Sequence, residues 1–176
     1  TAVVAGAIIM SSPQPDVVAA IGEWDDNALE LATLSLGALT AVGLLVNPFL
    51  ALFALPGAFT PTCSAKHVPG YVQHFDDFKA AGVDEIWCVS VNDAFVMGAW
   101  ARDQKTGAKV RMLADGSADF AKATGLTLDL TGRGMGLRSN RYSMLVKNGK
   151  VASLNVEGPG KFEVSDAATL LAQAQG

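Results

Sequence analysis

Phe49–Leu55 is an unbroken apolar run that ends on Pro56-Gly57. A run of that length, closed by turn residues, reads as a strand buried on both faces of a sheet. The chain then passes directly toward a helix start. Thr60 is a good N-cap, and Pro61 suits the first helical position because its missing N–H has no partner there anyway. A buried strand that hands over to a helix confines the chain to architectures in which helices cover a sheet.

The rest of the chain keeps this alternation. A helix is expected from 62 to about 80, kinked near Pro69. Residues 85–91 read as an apolar strand, followed by a helix capped by Asn92 or Asp93 and running to about Asp103. A short strand at 110–113 and a helix from Ser117 to about Thr124 come next. Residues 142–146 and 151–156 make a hairpin around Asn148-Gly149, the dipeptide such turns favour. A final helix spans 165–174, capped by Ser165 or Asp166. Together these predict an α/β fold, a mixed central sheet flanked by helices, as one domain over 1–176.

The N-terminal part is less regular. Ser11-Ser-Pro-Gln-Pro-Asp reads as a loop, and Asp25-Asp-Asn as the cap of a short helix to Leu34. Residues 31–55 are uncharged and mostly apolar, long enough for a membrane helix. Gly37, Gly43, Asn47 and Pro48 punctuate that stretch, and no basic residue flanks it. A short helix or loop leading into the buried strand is the preferred reading.

Hydrophobic residues are 50% of the 176 and charged ones 17%, which excludes a disordered chain. A net charge of −4 and a pI near 5.0 leave no electrostatic footprint for nucleic acid. All 13 basic residues fall after position 65, so no basic n-region of a signal peptide opens the sequence. Cys63 and Cys88 are too few for a disulfide scaffold and suit a reducing compartment.

Cys63 falls in the first turn of the expected helix. Unpaired N–H groups and the positive end of the helix dipole favour an anion there, so its thiol is expected to ionise more readily than a free one. The thiolate is the nucleophile. A buried structural cysteine is the competing reading, and the residues around position 63 favour reactivity.

The segment Pro56-Gly-Ala-Phe-Thr-Pro-Thr-Cys-Ser fits the pattern P-x-x-x-T-x-x-C and resembles the type II branch of the peroxiredoxins. The resemblance continues through His67-Val-Pro-Gly-Tyr, Ser90-Val-Asn-Asp-Ala-Phe-Val and Arg138-Ser-Asn-Arg-Tyr-Ser, covering about residues 52–174. The short hairpin and Gly-Lys segment usual at the start of that branch are not recognisable, apart from a loose echo in Thr33-Leu-Ser-Leu-Gly-Ala-Leu.

The resemblance implies a thioredoxin-like fold and a thiol-dependent peroxidase serving redox homeostasis and antioxidant defence. It makes Cys63 the peroxidatic cysteine, with Thr60 directing its hydroxyl at substrate and sulfur. Pro56 would wall the pocket, and Arg141 would keep the thiolate charged and bind peroxide oxygens. No cofactor is expected. The region Gly160-Lys-Phe-Glu-Val-Ser lacks the further cysteine of intramolecular-disulfide members, so an external thiol is implied: glutathione and glutaredoxin, or thioredoxin. A homodimer is implied, packed through aromatic residues near the active-site helix; Phe59, Phe95, Met97 and Trp100 read equally as ordinary core. The cytoplasm is the expected location, with the mitochondrial matrix fitting equally.

The remaining residues have bland readings. Cys88, in an apolar strand, is taken as an inert core thiol in preference to a resolving partner. His67, one helical turn after Cys63, either supports the thiolate or packs and hydrogen-bonds, the second being slightly preferred. His74 reads as a solvated helix residue and Arg138 as a surface charge. Gly132-Arg-Gly-Met-Gly lacks the context of a phosphate loop and is read as a flexible turn. Two histidines and two cysteines without paired spacing do not make a zinc site. Cys63-Ser-Ala-Lys is not the Cys-x-x-Cys of a disulfide oxidoreductase, and Pro69 stands where a cysteine phosphatase needs arginine. A catalytically silent binding or chaperone module is the competing function.

Overall fold

Strand β2 (Phe49–Leu55) takes the expected bounds and sits inside the sheet. The computed structural model describes residues 17–20, as backbone alone, and 49–176. The loop expected at 11–16, the helix expected to end at Leu34 and the segment leading into β2 lie outside the described residues. The other strands are β1 (Val17–Ala20), β3 (Glu85–Ser90), β4 (Arg111–Asp115), β5 (Thr127–Leu130), β6 (Gly136–Ser139), β7 (Tyr142–Lys147) and β8 (Lys150–Val156). The helices are α1 (Val68–Gln73), α2 (Phe75–Ala80), α3 (Ala94–Asp103), α4 (Asp119–Thr124) and α5 (Ala167–Gln175).

Six strands form one mixed sheet in the order β1-β4-β3-β2-β7-β8, and β5-β6 form a separate hairpin. β2 runs parallel to β3, and β3 to β4. Parallel neighbours need a crossover, which α1 and α2 supply for the first pair and α3 for the second. β7 lies antiparallel on the other side of β2, with Ala54 opposite Tyr142.

Both faces of β2 are covered, which is why its sequence does not alternate with polar residues. Ala51, Phe53 and Leu55 face a core with Tyr71 of α1, Phe78 of α2, Trp100 of α3 and Leu170 of α5. Leu50, Leu52 and Ala54 face a second core with Val89, Leu113, Met144 and Val146. Phe53 stacks on Tyr71 with ring centroids 3.9 Å apart and planes 5° apart. β8, at the sheet edge, alternates exposed and half-buried residues as a one-sided strand does.

Several local expectations hold. Asp93 caps α3 by accepting from Val96 N–H at 2.9 Å, and Asp166 caps α5 by accepting from Thr169 N–H at 3.0 Å. Asn148 and Gly149 both take positive φ (50° and 73°), the conformation a tight hairpin of matching twist requires.

Other elements differ from expectation. The helix after β2 does not kink at Pro69 but breaks at His74 (φ −89°, ψ 12°). Upstream, Cys63–His67 form a wide π-type turn in which Val68 N–H reaches the Cys63 carbonyl, and Pro69 follows at the start of α1. Such a turn relieves the clash between a proline ring and the preceding turn, so the kink is not needed there. Helix α4 starts at Asp119, not Ser117. The Asp115 carboxylate at the end of β4 caps it, accepting from Phe120 and Ala121 N–H at 3.0 and 2.9 Å. The β5–β6 hairpin, with Gly132-Arg-Gly-Met-Gly around its tip, and strand β1 were not foreseen. Among the described residues no helix is long and apolar enough to cross a membrane.

Candidate active site

β2 ends beside the turn that carries Cys63, and the β2–β7 register brings the start of β7 to the same edge. Because Ala54 pairs with Tyr142, Arg141 arrives at the end of β2 although it lies 78 residues from Cys63. Ligand sites in sheets of this kind gather outside the carboxyl ends of the strands where connections diverge. Here β2 connects onward to β3 on one side and pairs with β7 on the other.

Arg141 Nη2 donates to Cys63 Sγ at 3.4 Å. Its Nη1 lies 3.0 Å from His67 Nδ1. His67 Nε2 lies 3.0 Å from the Ser165 carbonyl, which also accepts from the Tyr71 hydroxyl at 2.9 Å. A carbonyl oxygen only accepts, so the proton of neutral His67 sits on Nε2. Nδ1 is then bare and accepts from Arg141. The guanidinium fork is thus shared between the sulfur and a neutral imidazole. Phe162 closes the far side, edge-on to His67 at 4.9 Å and under the Arg141 guanidinium at 5.6 Å.

His67 is fully buried, and this decides its charge. Burial first, and then the neighbouring Arg141 cation, pull its pKa from 6.5 to about 3. It is therefore a neutral, hydrogen-bonding residue, as preferred from the sequence, and not a cationic partner of sulfur. The unfolded chain binds this proton below pH 6.5 and the folded one only near pH 3, so stability falls with pH across that window. The loss from this group between pH 7 and pH 5 is expected to be about 2 kcal/mol. Urea midpoints at the two pH values, for the wild type and for His67→Asn, check this. The difference between the two proteins cancels the contribution of Asp115, which burial pushes up and which therefore acts with the opposite sign. Equal pH slopes in the two proteins would exclude His67 as the source.

Thr60 occupies the N-cap position, since its carbonyl accepts from Ser64 N–H at 3.0 Å. Its hydroxyl, expected to cap or to face the sulfur, instead donates to the Gly57 carbonyl at 2.9 Å. Pro56 is half-buried at the end of β2. Asn92 pins the turn between them: its Oδ1 accepts from Ala58 N–H at 2.9 Å and from the Ser90 hydroxyl at 2.7 Å.

Arg138 is not the surface charge expected. It is half-buried, with Nη1 donating to the Val91 carbonyl at 2.9 Å and Nε to the Met135 carbonyl at 2.7 Å. It crosses so close to the turn that a Cβ on Gly57 would lie 3.3 Å from Nη1, which is why glycine stands there. Cys88 is fully buried behind Phe53, and burial, then the neighbouring Cys63, push its thiol well up. Cys63 and Cys88 are both free. His74 lies at the helix break, its Nδ1 2.9 Å from an Asp77 carboxylate oxygen. Among the described residues no group of three His, Cys, Asp or Glu could hold a metal ion.

Sequence reasoning did not single out Asn92, Phe162, Ser165 or Glu157. Ser165 acts through its carbonyl, which any residue has. From the sequence, Asn92 and Ser165 read only as possible helix caps.

The redoxin family model matches residues 15–171. The chain is 44% identical over 151 residues to Peroxiredoxin-2B of Arabidopsis thaliana, covering 86% of this chain and 90% of that one. It is 48% identical over 129 residues to Peroxiredoxin-2C of Oryza sativa subsp. japonica, covering 73% and 80%. Among solved structures, reduced Prx3 from Vibrio vulnificus in complex with hydrogen peroxide superposes with a TM-score of 0.71 at 54% identity, covering 75% of this chain and 84% of that one. With a thioredoxin-like sheet, a cysteine–arginine pair at its edge and relatives of this identity, the chain belongs to the redoxin family, among its type 2 peroxiredoxins.

Proposed function

We propose that Cys63 is the peroxidatic nucleophile of this thiol-dependent peroxidase, acting on hydrogen peroxide and small organic hydroperoxides. The observation that carries the reading is the Arg141 guanidinium 3.4 Å from Cys63 Sγ, held there by a neutral acceptor. A fixed cation favours the thiolate, and a fork of donors can bridge sulfur and the oxygen it attacks. The thiolate attacks one peroxide oxygen, the S–O bond forms and the O–O bond breaks. Sulfur loses two electrons, and the departing oxygen takes a proton to leave as water or alcohol. First-turn N–H groups and Arg141 stabilise the charge that moves onto the departing oxygen. Thr60 requires one hydroxyl rotation, away from the Gly57 carbonyl, to reach substrate. Pro56 forms the wall that keeps water from the sulfur.

The sulfenic acid on Cys63 is reduced by an external thiol, glutathione with glutaredoxin. A first thiol displaces water to form a mixed disulfide, and a second releases Cys63 as thiol. Cys88 is an inert core thiol in this cycle, supported by its burial and its raised pKa. Exposed Phe59 (54%), beside Trp100, and exposed Phe95 (73%) support a two-fold partner packing on these aromatic residues. Two free thiols suit a reducing compartment, the cytoplasm first.

Peroxide loss measured side by side with glutathione alone, glutathione plus glutaredoxin, and thioredoxin with its reductase tests the reading. Turnover is expected to be fastest with glutaredoxin present. Fastest turnover with thioredoxin would replace the donor assignment. No loss above the reductant background in any arm would make the chain a silent module.

A further inference from the structure

The loop between β8 and α5 is organised by one side chain. Glu157 Oε1 accepts from the backbone N–H of Glu163, Val164 and Ser165 at 2.7, 2.8 and 2.8 Å, and from the Ser165 hydroxyl at 2.9 Å. Converging donors hold its carboxyl below the ordinary carboxylate range, against the burial that opposes them. Its own backbone N–H donates to the Arg141 carbonyl at 3.0 Å, which continues the β7–β8 ladder past Val156. One residue is thereby tied by its backbone to Arg141 and by its side chain to the loop that faces Arg141.

That loop delivers two groups to the site. The Ser165 carbonyl receives the His67 Nε2 proton, and the Phe162 ring lies under the Arg141 guanidinium. Were the carbonyl to withdraw, the Arg141 contact alone would hold the tautomer, and the imidazole ring would lose the partner that fixes its orientation. A turned ring withdraws the Nδ1 acceptor from Arg141, and a proton on Nδ1 would face an N–H of Arg141; either one releases the guanidinium. The aim of Arg141 at sulfur therefore depends on where this loop is held.

We propose that Glu157 is a positioning residue for the peroxide step: its carboxylate clamps the 157–165 loop, so that the Ser165 carbonyl fixes the His67 tautomer that holds Arg141 on Cys63. This rests on the peroxidase reading above. The clamp touches neither sulfur nor substrate and acts only through Arg141.

The test is a pair of substitutions, Glu157→Ala and Glu157→Gln, each made with Arg141 intact and with Arg141→Ala. The single-turnover rate of the reduced protein with hydrogen peroxide is one readout. The rate of Cys63 alkylation by iodoacetamide at fixed pH, with Cys63→Ser as the blank, is the second. With Arg141 intact, Glu157→Ala is expected to slow the peroxide step by about ten- to a hundred-fold, the scale of an ångström-sized misplacement. It should also slow the alkylation. In the Arg141→Ala background neither effect should remain, because coupled residues are not additive. Glu157→Gln keeps an acceptor oxygen but not its charge, so a smaller loss in the same direction is expected; it carries the test if Glu157→Ala proves unfolded by circular dichroism. Equal slowing in both backgrounds, or a folded Glu157→Ala at the wild-type rate, overturns the proposal. If the wild type itself fails to react with peroxide, the peroxidase reading falls, and the alkylation rate alone decides the role of Glu157.

Discussion

Cys63→Ser removes peroxide turnover, leaving only the background loss caused by the reductant. An alcohol in this position is not ionised by one guanidinium and the first-turn N–H groups, because its pKa lies far above that of a thiol. Nor does oxygen form an analogue of the sulfenic acid. The fold should survive, since serine is nearly the same size and its hydroxyl can accept the Arg141 Nη2 proton that Sγ now accepts. The control is Cys88→Ser, measured in the same assay. Cys88 sits in a fully buried, apolar setting where burial holds its proton on, so its loss is expected to affect stability and leave turnover intact. Peroxide consumption by coupled assay, with circular dichroism to confirm folding, gives both answers. Turnover in Cys63→Ser combined with its loss in Cys88→Ser would reverse the two assignments.

Arg141→Ala slows the peroxide step by about 10²–10³-fold, the cost of removing one preorganised donor from a developing charge. Two effects act together. The sulfur loses the cation beside it, so the attacking anion is less favoured. The departing oxygen loses a donor, so the rate falls even at a pH where the thiol is ionised. Single-turnover kinetics at high pH, where the thiol is ionised, isolate the second as a lowered plateau. A third consequence is structural. His67 Nδ1 is left buried without its donor, at about 1–3 kcal/mol of stability. Arg141→Lys is expected to restore little of the plateau. A single ammonium cannot donate in two fixed directions, to Sγ and to Nδ1, as the planar fork does. An unchanged rate in Arg141→Ala would remove Arg141 from the mechanism.

The parts of the fold legible in the sequence were those set by local chemistry. β2 was bounded correctly by its apolar run and Pro56-Gly57, the β7–β8 hairpin by Asn148-Gly149, and α3 by the Asp93 cap. Misreadings arose where a distant partner decides. The start of α4 is set by Asp115, which belongs to a strand. The absence of a kink at Pro69 follows from the wide turn at Cys63–His67, which no periodicity announces. Arg138 looked solvated because its partners, the carbonyls of Val91 and Met135, carry no sequence signature.

The same division runs through the site. Cys63 and Arg141 were found through motifs, and the structure brings them together. The groups that hold them in place, the Ser165 carbonyl and the Glu157 carboxylate, were not found. Their role exists only once α5 and β8 have folded back over α1. The Thr60 hydroxyl was read correctly by position and incorrectly by direction, because a turn offers it the Gly57 carbonyl as an alternative acceptor.

The pairing of Ala54 with Tyr142 has a consequence for biosynthesis. Contacts this remote in the chain form late, after the cost of closing a long loop has been met. A nascent polypeptide that has released the cysteine turn but not yet β7 carries an ordinary thiol, without its cation. On the proposed reading, sensitivity to oxidant would then come only with the docking of β7, and an unfinished chain would be spared the chemistry proposed for the mature one.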